Sequence, residues 1–88
     1  MTSPDEKTIR AAVLDALLEV APDIDPAQLD TGQPLRSQVD FDSMDQLNFV
    51  TALHLKLGVD VPESDYTALG AIDGAVRYLA KRLGASVE

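Results

Sequence analysis

The sequence predicts an all-α fold: a small bundle of three main helices plus one short helix, with a long ordered first loop. Three observations lead to it. Apolar residues recur at helical spacing in three separate stretches. Residues that start and stop helices bracket those stretches. Aromatic content is 5 % with no tryptophan, so the core must rest on Leu, Val, Ile and Ala, which suits helices. Eighty-eight residues fit a single domain over 1–88, with 84–88 expected to fray.

The first helix is expected over about residues 4–20. Ser3 can cap it, Pro4 suits the first helical position, and Glu6 completes a capping box. Ile9, Val13, Ala16, Leu17 and Val20 then fall on one face, and Pro22 ends the helix. Residues 21–42 form a long connection with Pro22, Pro26, Gly32 and Pro34 and no sustained period. Connections of this length without structure of their own are uncommon and often functional. Asp25-Pro26 suits one short turn. Ile24, Leu29, Leu35 and Val39 are spaced singly and should pin the loop to the helices.

The second helix is expected from Ser43, capped by Asp42, to about Leu57, with Gly58 as its stop. Phe49, Val50, Leu53 and Leu57 form its core stripe. Met44, Asn48, Thr51 and Leu55, with Leu47 beside them, form a second stripe on the opposite side. A small domain cannot easily bury both, so the second stripe should remain a partly exposed apolar patch, a common mark of a binding surface. Residues 59–62 alternate and should be extended. A short helix over 63–69 should carry Tyr66 and Leu69 inward. The last helix, about 71–83, has one stripe of Ile72, Val76, Leu79 and Leu83, with Lys81 and Arg82 suited to its C-terminal dipole and Gly84 as its stop.

Composition removes several function classes. There is no cysteine and one histidine, His54, which excludes disulfides, thiolate metal sites and histidine-cluster metal sites. The formal net charge is −8, which disfavours nucleic acid and favours basic partner surfaces. No apolar run is long enough to insert in a membrane, and the N-terminus does not read as a secretory signal, so a cytoplasmic monomer is expected. An enzyme is not expected: a serine nucleophile needs a base in reach. His54 lies roughly 16 Å along the helix from Ser43, too far to activate it, and reads as a solvated side chain. Asp40, Asp42 and Asp45 do not make an EF-hand, because Met44, Asp45 and Thr51 occupy the fifth, sixth and twelfth places.

Ser43 reads better as an acceptor. A helix N-terminus offers free N–H groups and a positive dipole end to a phosphate ester. Asp42 and Asp45 would repel such a phosphate and are better placed to attract a basic modifying enzyme. On local pattern alone, an ordinary first-turn serine with an ordinary cap accounts for the same residues.

The wider pattern is more specific. Asp42-Ser43-Met44-Asp45-Gln46-Leu47-Asn48-Phe49-Val50, then Leu53, then Leu57-Gly58-Val59-Asp60-Val61-Pro62, resembles the acyl carrier proteins. Ile72-Asp73-Gly74-Ala75-Val76-Arg77-Tyr78-Leu79 is similar to that family's last helix. The resemblance spans nearly the whole chain and is weakest before Pro34. It implies that Ser43 carries 4′-phosphopantetheine, transferred from coenzyme A by a phosphopantetheinyl transferase. The arm's thiol would hold acyl groups as thioesters, making the protein a shuttle for fatty acid, lipid or polyketide-type synthesis. The resemblance places Met44 and Leu47 among apolar contacts near the arm, and Asp42 and Asp45 among acids beside it. The outward stripe with Asn48, Thr51 and Leu55 becomes the recognition face. Val50, Leu53, Ala68 and Ile72 would suit a yielding acyl lining but read as core.

Three departures point towards a specialised, free-standing carrier served by a dedicated acyl ligase, ketosynthase or acyltransferase. Val39-Asp40-Phe41 replaces Leu-Gly-Ala or Leu-Gly-Gly, setting a bulky ring beside Ser43. Asn48, His54, Leu55 and Lys56 stand where glutamates are usual. Ala71 stands where threonine or serine often opens the last helix. Two alternatives share much of this pattern: an aminoacyl or peptidyl carrier of a peptide synthetase, and an unmodified helical module that binds a partner through the outward stripe.

Overall fold

The computed structural model describes residues 5–84. Three α-helices, α1 (Glu6–Val20), α2 (Ser43–Leu57) and α3 (Ile72–Leu83), are joined through 3-10 segments at Pro26–Gln28, Leu35–Ser37 and Glu63–Leu69. No strand occurs among the described residues. The fold is therefore the all-α bundle that the periodicity predicts. α1 lies against both α2 and α3, and the 3-10 helix Glu63–Leu69 bridges from α3 to α2. The radius of gyration, 12.1 Å, matches the ~12 Å expected of one compact domain of this length.

The expected stripes converge on one core. α1 contributes Ile9, Val13, Ala16 and Leu17; α2 contributes Phe49, Val50, Ala52 and Leu53; α3 contributes Ile72, Ala75, Val76, Leu79 and Ala80. Val50, Leu53 and Ile72 are thus core residues. The connections add Leu35, Phe41, Val59 and Leu69, so the loops close the core. Ile24, Leu29 and Val39 pack partly buried against it, as do Val20, Leu57, Tyr66 and Leu83. No polar or charged residue is buried among the described residues, so the core incurs no desolvation penalty for a charged group.

The start of α1 differs from expectation. Asp5 is the N-cap: its backbone is extended and its Oδ1 accepts the Thr8 N–H at 2.8 Å. Glu6 is therefore the first helical residue and not the capping-box partner. Ser3 and Pro4 lie outside the described residues, as do residues 85–88 of the expected frayed tail. Thr8's backbone N–H holds the Asp5 carboxyl below its ordinary range.

The long loop is more organised than its proline content suggests. Asp25 caps the first 3-10 turn by accepting the Ala27 N–H. A second turn, Leu35–Ser37, was not expected. Gln38 fastens this region: its Nε2 donates to the carbonyls of Asp30, Gln33 and Pro34, and its Oε1 accepts the Asp30 N–H. The Leu35 N–H donates to Gly70 O at 2.8 Å, joining the loop to the end of the third 3-10 helix. Asp73 ties the loop to α3 and α1 by accepting from Thr31 and pairing with Arg10.

The 3-10 helix Glu63–Leu69 is held from three sides. Gln46 of α2 donates to Tyr66 O at 3.0 Å. Tyr78 of α3 donates to Asp65 at 2.6 Å, which raises the phenol pKa above its ordinary value. At Gly74, a Cβ would sit 3.0 Å from the backbone oxygen of Ala68, so any larger residue would require the two segments to shift by a few tenths of an ångström.

Candidate functional site

The site begins with how α2 starts. Residues 39–42 alternate: Val39 half-buried, Asp40 exposed, Phe41 buried, Asp42 exposed. This is the period of an extended chain. Phe41 therefore points into the core, 5 % exposed, with its ring edge-on to Phe49 at 6.1 Å. The expectation that its ring crowds Ser43 is corrected. The ring anchors the chain from beneath and leaves the serine open.

Asp42 then caps α2. Its Oδ1 accepts the Asp45 N–H at 2.9 Å, and Asp45 Oδ2 accepts the Asp42 N–H at 3.2 Å. The reciprocal pair is a capping box. It gives both acids a structural task, where the sequence reading assigned one only to Asp42. Ser43 is the first helical residue. It is exposed, and its hydroxyl takes no part in the side-chain hydrogen bonds among the described residues. Gly58 ends the helix in the left-handed conformation, with φ 68°.

Ser43 borders a groove of about 580 Å³. Pro34 and Arg36 form one wall. Ser43, Met44, Gln46 and Leu47 form the side contributed by α2. Glu63, Tyr66, Thr67 and Gly70 line it from the third 3-10 segment and its end. The volume lies within the range of small-molecule sites, as does the mixture of apolar surface and a few polar groups. The bonds from Gln46 to Tyr66 O and from Leu35 to Gly70 O hold the walls together.

The outward stripe of α2 divides. Met44 is 65 % and Leu47 47 % exposed, and both line the groove. Leu55, 78 % exposed, stands apart from it. Asn48 is exposed, and Thr51 returns its hydroxyl to Leu47 O at 2.9 Å. Thr51 and His54 instead border a smaller depression with Asp60 and Val61. His54 is not simply solvated. Its Nδ1 lies 3.0 Å from Val59 O and 3.1 Å from Asp60 Oδ1, so a proton on Nδ1 serves both acceptors. The ring braces the turn after α2.

Sequence reasoning overlooked Arg36, Gln46, Glu63 and Thr67. A signal was available: Glu63, Tyr66, Thr67 and Gly70 follow i, i+3, i+4, i+7 spacing, and Gln46 and Leu47 lie three and four residues after Ser43. What the pattern lacked was which faces meet. Among the described residues, no helix is long and apolar enough to cross a membrane. No protein-family model matches the chain, and comparison with curated proteins also finds no match.

Proposed function

We propose that the protein is an acyl carrier whose attachment point is Ser43. The observation that carries this reading is a free, exposed hydroxyl at the first position of a capped helix, opening onto a groove of small-molecule size. Attachment would form a bond from Ser43 Oγ to the pantetheine-bearing phosphorus of coenzyme A. The pyrophosphate bond breaks, adenosine 3′,5′-bisphosphate leaves, and the hydroxyl proton passes to a base on the transferase. A partner must supply that base, because His54 bonds to residues after the far end of α2.

The residues fit the group. Phosphopantetheine joins an anionic phosphodiester to a chain of amides, a hydroxyl and methyl groups. Arg36 offers a cation, Gln46 and Thr67 offer polar groups, and Met44, Leu47 and Tyr66 offer apolar surface. When bound, the group would supply the thiol that holds an acyl chain as a thioester. The chain's own residues do the remaining work. The capping box fixes the first turn, Phe41 anchors the residues before it, and Met44 and Leu47 present an apolar rim to partner enzymes. An acyl ligase, ketosynthase or acyltransferase is the expected kind of partner, in the cytoplasm.

Intact mass after incubation with coenzyme A and a broad-specificity phosphopantetheinyl transferase tests the reading. The parent should gain one phosphopantetheine, and Ser43→Ala should gain none while keeping its helical spectrum. No gain on the parent, with a transferase active on another carrier, would overturn the reading. The exposed Leu55 favours a second reading in that case, an unmodified interaction module. Under it, Leu55→Asp would abolish partner binding and Ser43→Ala would leave it unchanged.

A further inference from the structure

We propose that Arg36 is a positioning residue that pairs with the phosphodiester on Ser43 and draws the arm into the groove. The inference rests on the carrier reading and adds a residue and a resting place to it. Arg36 and Ser43 come from different elements yet line the same groove. Arg36 is the only cation among the lining residues. Among the described residues it has no carboxylate within ion-pair distance, whereas Arg10 and Lys56 pair with Asp73 and Glu19.

The backbone around Arg36 is fixed. Leu35 is buried and donates to Gly70 O, and Gln38 ties its side chain to the loop carbonyls. The guanidinium is thus carried on an anchored turn. The other charged groups near Ser43 are anionic: Asp42 and Asp45 flank it in sequence, and Glu63 also lines the groove. A phosphodiester joined to Ser43 meets those acids as repulsive neighbours, the start of α2 as a local attraction, and Arg36 as the one cationic side chain lining the groove. A guanidinium fork matches two phosphate oxygens better than a lysine would. The contact need not be strong. Arg36 is exposed, and an exposed pair is individually weak. The covalent tether makes the contact intramolecular, so a small attraction suffices to bias where the arm rests. With the phosphate held, the arm's amides meet Gln46 and Thr67, and its methyl groups meet Met44, Leu47 and Tyr66.

The test compares ¹⁵N–¹H spectra before and after complete loading with phosphopantetheine, verified by intact mass, for the parent, Arg36→Gln and Arg36→Lys. In the parent, loading should move the Thr67 and Gly70 amides and the Arg36 Nε–Hε signal, besides residues 42–45. Arg36→Gln should reduce the Thr67 and Gly70 shifts about two- to fivefold. Arg36→Lys should retain part of them. Raising salt to about 0.5 M should reduce the parent's shifts in the same direction. Should Arg36→Gln resist loading, the salt series on the parent decides alone. Shifts confined to residues 42–45, or equal in parent and Arg36→Gln and insensitive to salt, would overturn the role of Arg36 while leaving the carrier reading intact. A parent that does not load at all would overturn both.

Discussion

At the scale of single residues, Phe41 shows how a local reading can have the right residue and the wrong direction. Beside Ser43 in sequence, it turns inward because Asp42 must leave the chain extended to cap α2. Its ring meets Phe49, so the residues before Ser43 are fastened to the core. Replacing it should therefore damage the fold before the surface. Phe41→Ala should lower unfolding free energy by about 3–5 kcal/mol, read from urea titrations, while Met44→Ala should change it by less than about 0.5 kcal/mol. Equal small effects would mean that the ring does not anchor the junction. His54 teaches the same lesson. Its i+5 and i+6 partners follow a helix stop, and no helical period reports a contact made around that turn. The place of Ser43 as the first residue of α2 was legible because capping chemistry is local: Asp42 before it and a helical period after it mark the start, whereas the return bond from Asp45 was not read.

Elements were legible where their ends carried chemistry and their faces carried a period. α2 runs between its expected residues because Asp42 and Gly58 mark both ends. The start of α1 was misplaced because Ser3-Pro4-Asp5-Glu6 holds two competing caps, and propensity cannot rank them. The long loop escaped for a different reason. Gln38 organises it through carbonyls that every residue possesses, so no residue pattern signals the contact. The cap on α1 gives a test at this scale. The Thr8 N–H holds the Asp5 carboxyl below its ordinary value of 3.8 in the folded state. Between the folded and unfolded values the unfolded chain binds more protons, so stability rises with pH there. The cap's contribution is complete above the unfolded value and is lost as pH falls through the folded one. Asp5→Ala should therefore melt below the parent near neutral pH, and the two melting curves should converge in strong acid. A gap independent of pH would assign the loss to something other than the charged cap.

Across the whole molecule, the bundle was legible because its stripes meet in one core, while the groove was not because it is made by three elements meeting. Pro34 and Arg36, the first turns of α2, and residues 63–70 lie far apart in sequence, and no single stretch reports that they meet. Charge also acts at this scale, and two contributions compete. Two Arg or Lys ion pairs occur among the described residues: Arg10 with Asp73 and Lys56 with Glu19. Both remain partly open to solvent, and each is worth about 0–1 kcal/mol before screening. Against them stands a formal net charge of −8 on 88 residues. Such an excess is repelled in the compact state and relieved on unfolding. With most acids unpaired, repulsion should exceed attraction. Salt screens both over roughly 10 Å at 0.1 M and over shorter distances at higher concentration. Raising salt from about 0.02 M to about 0.5 M should therefore increase the melting temperature, by about 4–8 °C if screening recovers about 1 kcal/mol. Calorimetry across that series decides between the two. A melting temperature that falls with salt would mean that the ion pairs holding α1 to α2 and α3 outweigh the net repulsion.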